Sequence, residues 1–209
     1  MKIILAILLF AVTFFLFVYI ADMVVVKNDT TFDSSIQTYV NAHESGGTTT
    51  FMEAITFFGS HRFLIPAYLV LIVYYLFERR YRIAVNITAI GLTSTGVLFL
   101  LKEYFQRARP IDPLIRDVKG FSFPSGHSFS SFTFYGVVIY LIWSTGWKTA
   151  FKIFCSVLLF LFATGIAYSR IYLRVHFPSD IVAGFLLSAV WLSLAFMLFR
   201  IKKVKELQV

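Results

Sequence analysis

Residues 123–143 read FPSGHSFSSFTFYGVVIYLIW. From Ser128 to Trp143 the run carries no charge and approaches the length of a helix that crosses a bilayer. Its entrance is unusual. Membrane helices commonly begin among Trp, Tyr, Lys or Arg at the lipid–water boundary, whereas this one begins with Pro124, Gly126 and the ionisable His127. Five more uncharged apolar runs accompany it, at residues 3–21, 63–77, 83–101, 153–168 and 181–199. A crossing helix takes about 20 residues at about 1.5 Å each, so the run at 63–77 is expected to start earlier, near Phe57, with Arg62 snorkelling or facing protein. The first run is longer than the apolar core of a signal peptide and no A-x-A site follows it, which predicts an uncleaved first span. The sequence thus predicts an all-α integral membrane protein, one membrane-embedded domain over residues 1–209. Its six transmembrane helices are expected at about 3–21, 57–77, 83–101, 126–143, 153–168 and 181–199.

Composition agrees. Of 209 residues, 58% are hydrophobic, 19% aromatic and only 14% charged, with a mean hydropathy of +0.78. Soluble domains average about 45–50% apolar and about 25% charged residues, so the apolar excess must face lipid. The formal charge of +8 sits in short links beside spans, with no binding fold attached, which argues against a nucleic-acid partner.

Charge also orients the chain. Alternating spans put the links after spans 1, 3 and 5 on one face, and both termini with the links after spans 2 and 4 on the other. The termini face holds ten Lys and Arg, including Arg79, Arg80, Arg82, Lys148 and Lys152; the opposite face holds nine. If Lys102, Arg109 and Arg170 are set aside as members of a site, the comparison is ten against six. The positive-inside rule then places both termini in the cytoplasm and the links after spans 1, 3 and 5 outside it, and the basic cytoplasmic face suits anionic headgroups.

Between spans 1 and 2, about residues 33–58, two short interfacial helices are expected. Asp33 or Ser34 can cap the first, with Ile36, Tyr39 and Val40 on one face. Gly46-Gly47 breaks it, and Thr48–Thr50 can start the second, with Phe51, Ile55 and Phe58 apolar. His43 and His61 are expected at the surface or interface. The single cysteine, Cys155, lies in an apolar run and reads as a small buried hydrophobe. Neither CxxC nor HExxH spacing occurs, which leaves no recognisable transition-metal site. Asn86, Thr88, Thr93, Ser94 and Thr95 in span 3 are expected to serve helix packing.

The unusual chemistry is concentrated in three clusters. Span 3 ends in KEYFQRARP (102–110), span 4 opens with PSGH (124–127), and SRIYLRVHFPSD (169–180) joins spans 5 and 6. Parity puts all three at one membrane surface. Singly, each has an ordinary structural explanation: interfacial cations, a helix start, a cap. Jointly they supply fixed cations, a helix N-terminus with free N–H groups, and two histidines, one with a carboxylate four residues on. That is an anion site with acid–base chemistry. Arg107, Arg116, Lys119 and Arg174 read as solvated loop charges, and Tyr104 and Tyr172 as interface aromatics.

K-x6-RP, PSGH and SR-x5-H-x3-D together resemble the signature of the type 2 phosphatidic acid phosphatase superfamily, the lipid phosphate phosphatases, whose site is similar to that of vanadium haloperoxidases and glucose-6-phosphatase. All eleven specified residues are present: Lys102, Arg109, Pro110, Pro124, Ser125, Gly126, His127, Ser169, Arg170, His176 and Asp180. The resemblance implies that His176 is a nucleophile forming a phosphohistidine, that Asp180 fixes its tautomer, and that His127 protonates the leaving oxygen and then assists water. Lys102, Arg109, Ser125, Gly126 and Arg170 would bind the phosphate, with no metal or other cofactor. The implied partner is a membrane lipid substrate in a bacterial plasma membrane, with the site on the extracytoplasmic side. Among subfamilies the chain most resembles the bacterial phosphatidylglycerophosphatases B. The expected reaction is phosphatidylglycerophosphate to phosphatidylglycerol plus phosphate, with undecaprenyl pyrophosphate as the rival substrate. From another class, a noncatalytic lipid transporter or scramblase is the alternative; the presence of both histidines and every anion-site residue speaks against it.

Overall fold

A computed structural model describes residues 2–115 and 118–199. Arg116 and the basic residues Arg200, Lys202, Lys203 and Lys205 of the expected cytoplasmic tail lie outside them. The described residues form helices and no strand: α1 (Lys2–Ala21), running on as a π-helical turn (Asp22–Val26), then α2 (Thr31–Asn41), α3 (Gly46–Phe57), α4 (His61–Phe77), α5 (Tyr81–Phe105), α6 (Gly126–Trp143), α7 (Thr149–Tyr172) and α8 (Pro178–Phe199).

Among the described residues, five stretches are long and apolar enough to cross a membrane: Ile7–Val26, Gly46–Phe77, Tyr81–Phe105, Thr149–Tyr172 and Pro178–Leu198. The expected fourth span, α6, is not among them. Its boundaries match the expectation, but its first half carries Gly126, His127, Ser128, Ser130, Ser131 and Thr133, polar groups that suit a helix enclosed by protein. Ser128, Phe129, Ser131 and Thr133 are indeed buried. α6 packs against α7 and α8, while α1 covers α8 and α5 pairs with α4.

Small residues let these helices approach closely. A Cβ added to Gly184 of α8 would lie 2.9 Å from both the Ser125 carbonyl oxygen and Ser128 Cβ. The contact is sealed by hydrogen bonds: Ser128 Oγ donates to the Ile181 carbonyl at 2.9 Å, and the Ser125 amide to the Asp180 carbonyl at 3.1 Å. The two helix starts are therefore locked together, which fixes the PSGH segment against the H-x3-D segment.

The second span does start before Phe63: α4 begins at His61 after Ser60, and residues 58–60 turn between it and the end of α3 at Phe57. Several expectations are corrected. The Gly46-Gly47 pair opens α3 rather than separating the helices, because Ser45 caps it, accepting the Thr48 amide at 3.4 Å. Neither Asp33 nor Ser34 caps α2; Asp29 accepts the Thr31 amide at 2.9 Å. Nor does Tyr39 share the inner face of α2: it is 68% exposed, while Asp33 and Val40 are buried. In α5, Thr88, Thr93, Ser94 and Thr95 turn their hydroxyls back to carbonyls of their own helix, and Ser94 is buried as helix packing requires. His43 and His61 are exposed and Cys155 half-buried.

Candidate active site

The helices run further than their apolar cores, and this places the cations. α5 extends to Phe105 and α7 to Tyr172, so Lys102 and Arg170 sit in last turns, where a positive charge complements the C-terminal end of the helix dipole. α5 stops at Gln106, whose left-handed φ of 47° and amide bond to the Lys102 carbonyl turn the chain inward. α7 ends comparably: Arg174 has φ 55°, and the Val175 and His176 amides both reach the Arg170 carbonyl at 3.2 Å. His176 is thereby fixed between the end of α7 and the start of α8, and it is only 2% exposed.

α8 starts with Pro178 in its first turn, where the missing N–H costs nothing. Asp180, two residues on, accepts the Phe177 amide at 2.9 Å through Oδ2, the side-chain half of a capping box. The same oxygen faces His176 Nδ1 at 3.4 Å. On the other edge of the ring, Arg109 Nη1 lies 3.2 Å from His176 Nε2. A guanidinium cannot accept a hydrogen bond, so Nε2 carries the lone pair and Nδ1 the proton, directed at Asp180. Burial first, then the charges of Arg109, Lys102 and Arg170, hold His176 protonation well below the ordinary imidazole value of 6.5. The ring is neutral, with the lone pair of Nε2 directed at the Arg109 guanidinium.

Arg109 is aimed by three carbonyls, donating to Val175 at 2.7 Å, Gly120 at 2.9 Å and Lys119 at 3.2 Å. Burial lowers its own pKa from the usual 12.5, which still leaves a guanidinium cationic at neutral pH. Lys102 Nζ donates to the Phe121 carbonyl at 2.6 Å. Arg170 is buried, and its Nη1 donates to Thr56 of α3 at 2.8 Å. Its Nε is enclosed with no hydrogen-bond partner among the described residues, which in a buried guanidinium marks a donor suited to an anionic ligand.

α6 contributes its N-terminus. Ser125 is its N-cap, accepting the Ser128 amide at 3.4 Å, which leaves the hydroxyl hydrogen free to donate. A Cβ on Gly126 would stand 3.3 Å from Leu98, tighter than ordinary contact, and 3.8 Å from Lys102 Cε, so glycine makes room for the Leu98 side chain of α5. The first reason for glycine here is thus protein packing. His127 is half-buried, with Arg170, His176 and Arg109 near enough to act on its charge.

Lys102, Arg109, Ser125, Gly126, His127, Arg170, His176 and Asp180 therefore come together at one end of the bundle. Two expectations fail there. Arg107 is not a solvated charge: its side chain is 9% exposed, bonding Asp180 Oδ1 at 2.6 Å, Ser179 Oγ at 2.8 Å and Asp33 Oδ2 at 2.7 Å. Tyr172 is not an interface aromatic but 4% exposed, and its hydroxyl accepts the Ser45 amide at 2.9 Å, tying α7 to the start of α3. Lys119 and Tyr104 are exposed as expected, and Arg174 pairs with Glu44. Asp33 and Thr56 were missed. Asp33 had a signal, since it lies three and seven residues before Ile36 and Val40 and so shares their face; a carboxylate among apolar residues requires a cation. Thr56 had none.

Fold and site define a helical membrane protein with a cluster of cations gathered around two histidines at one end of its helices. Residues 81–203 match the PAP2 superfamily, and the chain belongs to it. It is 31% identical over 136 residues to phosphatidylglycerophosphatase B of Bacillus subtilis (strain 168), an alignment covering 64% of this chain and 66% of that one. It is 34% identical over 95 residues to undecaprenyl-diphosphatase of Sulfolobus acidocaldarius, 46% of this chain and 37% of that one. The chain thus spans less than two thirds of the length of each. Among solved structures, the transmembrane PAP2-type phosphatidylglycerolphosphate phosphatase from Bacillus subtilis superposes with a TM-score of 0.84 at 25% identity, covering 93% of this chain and 98% of that one. Aquifex aeolicus LpxE superposes with a TM-score of 0.62 at 26% identity, covering 81% and 97%.

Proposed function

We propose that the protein is a membrane lipid phosphatase that hydrolyses the phosphate monoester of phosphatidylglycerophosphate through a phosphohistidine, without a metal. One observation carries this reading: His176 lies between Asp180 on Nδ1 and the guanidinium of Arg109 on Nε2. Nε2 attacks phosphorus, a P–N bond forms and the P–O bond to the lipid breaks, while His127 gives its proton to the departing glycerol oxygen. Water then attacks phosphorus, His127 takes the water's proton, and the P–N bond breaks to release phosphate. Lys102, Arg109 and Arg170 hold the nonbridging oxygens, with the Gly126 amide and Ser125 hydroxyl, and stabilise the charge of the transition state. Asp180 keeps the imidazole tautomer and offsets the positive charge of the phosphorylated ring.

A cluster of cations at the end of membrane helices suits a lipid whose phosphate rests at headgroup level with its tails in the bilayer. The Bacillus relatives favour phosphatidylglycerophosphate; the Sulfolobus relative supports undecaprenyl pyrophosphate as the second reading, a phosphoanhydride cut at the same site. Phosphate release by purified protein in detergent with excess chelator decides between them. The expected result is highest kcat/KM on phosphatidylglycerophosphate, ahead of phosphatidic acid and undecaprenyl pyrophosphate. A tenfold or greater preference for the pyrophosphate would overturn the first choice, and complete loss with chelator would overturn the metal-free mechanism.

The reading also makes α6 a sixth span, short and protein-enclosed, with the site extracytoplasmic and both termini cytoplasmic. Cys155 is the single cysteine, so Cys155→Ala followed by Asp112→Cys offers one label. In intact spheroplasts a membrane-impermeant maleimide should react at position 112; protection there until lysis would reverse the orientation.

A further inference from the structure

The structure assigns to Asp33, on α2, a positioning role for the nucleophile: it holds Arg107 in the orientation that fixes Asp180 against His176. This inference rests on the phosphohistidine reading above.

Asp33 is 1% exposed although it lies in an otherwise solvent-facing first turn. Both its oxygens are used within the protein. Oδ1 accepts the Ser179 amide at 2.8 Å, and Oδ2 accepts Ser179 Oγ at 2.7 Å and Arg107 Nη2 at 2.7 Å. Arg107 extends its other nitrogen to Asp180 Oδ1 at 2.6 Å and to Ser179 Oγ at 2.8 Å. The guanidinium carbon stands 4.3 Å over the Phe177 ring, which fixes its plane from above. The planar fork bridges two carboxylates, which an ammonium cannot do with the same geometry.

The arrangement continues to the reacting nitrogen. Asp180 Oδ1 is held by Arg107, so Oδ2 is presented to the Phe177 amide and to His176 Nδ1. Asp33 also anchors Ser179, the residue between the α8 N-terminal proline and Asp180. From α2 it therefore controls both the side chain and the backbone that aim the carboxylate. Electrostatics adds a second effect. The groups facing His176 are Asp180 from α8, Lys102 from α5, Arg170 from α7, His127 from α6, and Arg109 from the segment after α5. Arg107 would nearly cancel Asp180 were its charge not divided with Asp33. Asp33 keeps the local sum negative on the Asp180 side of the ring, which stabilises an imidazole that becomes cationic on phosphorylation.

The test compares Asp33→Asn, Arg107→Lys and the double variant with wild type in detergent. Asp33→Asn is nearly isosteric and is expected to lower kcat about 10- to 100-fold with KM within twofold, and to move the acid limb of kcat/KM to lower pH. Arg107→Lys keeps the charge but loses the fork, and is expected to lower kcat comparably. The double variant should be no worse than the poorer single one, because both act through one route. Thermal unfolding and size-exclusion profiles accompany each sample; a variant that fails to fold is replaced by Asp33→Ser. A loss of stability with wild-type kcat and an unchanged acid limb would reduce Asp33 to a structural residue and overturn the inference. The ¹⁵N NMR titration of the His176 ring in micelles needs no turnover: Asp33→Asn should shift its protonation to lower pH. If wild type releases no phosphate from any lipid but this shift is seen, the functional reading fails and the positioning role stands; an unmoved titration sinks the positioning role by itself.

Discussion

His176→Ala is expected to lower kcat at least about 10³-fold on any lipid the wild-type protein cleaves, because no other group replaces the attacking nitrogen. The protein should remain folded, since Arg109 keeps its bonds to the carbonyls of Val175, Gly120 and Lys119. Substrate binding should survive with them. His127→Ala should cost about 10²- to 10⁴-fold, the range for losing a general acid, and its loss should be smallest for substrates with acidic leaving groups. Rapid acid-free quench with labelled lipid should capture phosphoryl on wild-type protein and none on His176→Ala. The pH profile follows from the neutral ring. Lowering the pH protonates Nε2 and removes its lone pair, so activity falls only through the depressed His176 value; the acid limb of kcat/KM for the free enzyme should lie below pH 6.5. The limb of kcat should lie higher, because a bound phosphate offsets the three cations that depress it. Near wild-type turnover in His176→Ala would remove the phosphohistidine from the mechanism.

The sequence carried the site better than its supports. Lys102, Arg109, His127, Arg170, His176 and Asp180 announced themselves because polar groups beside long apolar runs stand out, and span parity was enough to bring them to one surface. The helix ends were less legible. Apolar runs stop where charge begins, but α5 and α7 continue past Lys102 and Arg170, since a cation in a last turn prolongs a helix rather than ending it. Arg107 was misread because its partner, Asp33, lies 74 residues earlier, and a single charged residue in a loop gives no sign of a distant carboxylate. Thr56 and Tyr172 were obscured likewise: each bonds across the fold, to Arg170 and to Ser45. Only PSGH at the start of α6 was read for its chemistry, and residues 128–143 as an apolar run, which hid a consequence of its serines and threonine. Those groups pack the helix into protein through Ser128, Thr133 and the facing Gly184.

Asp180→Asn is expected to lower kcat about 10³- to 10⁴-fold, the effect of losing a carboxylate that sets a catalytic imidazole's tautomer. The size follows from the donors that converge on Asp180: Arg107 Nη1 at 2.6 Å, the Phe177 amide at 2.9 Å and His176 Nδ1 at 3.4 Å. A carboxylate accepts all three through two oxygens. The Asn amide has one oxygen, so its NH₂ must face a donor, and the cheapest relief is for His176 to transfer its proton to Nε2 and accept at Nδ1. That tautomer puts an N–H where the attacking lone pair belongs and against Arg109, so the ring becomes both unreactive and repelled. Stability should also fall. Breaking a buried ion pair costs about 3–5 kcal/mol when one partner is left uncompensated, but Arg107 keeps Asp33, so the lower end of that range is expected. KM should change little, since Lys102, Arg109 and Arg170 remain. kcat, KM and thermal unfolding measured on the same detergent samples separate these effects. A kcat within tenfold of wild type would show that His176 needs no carboxylate to hold its tautomer, and that Arg109 alone orients the ring.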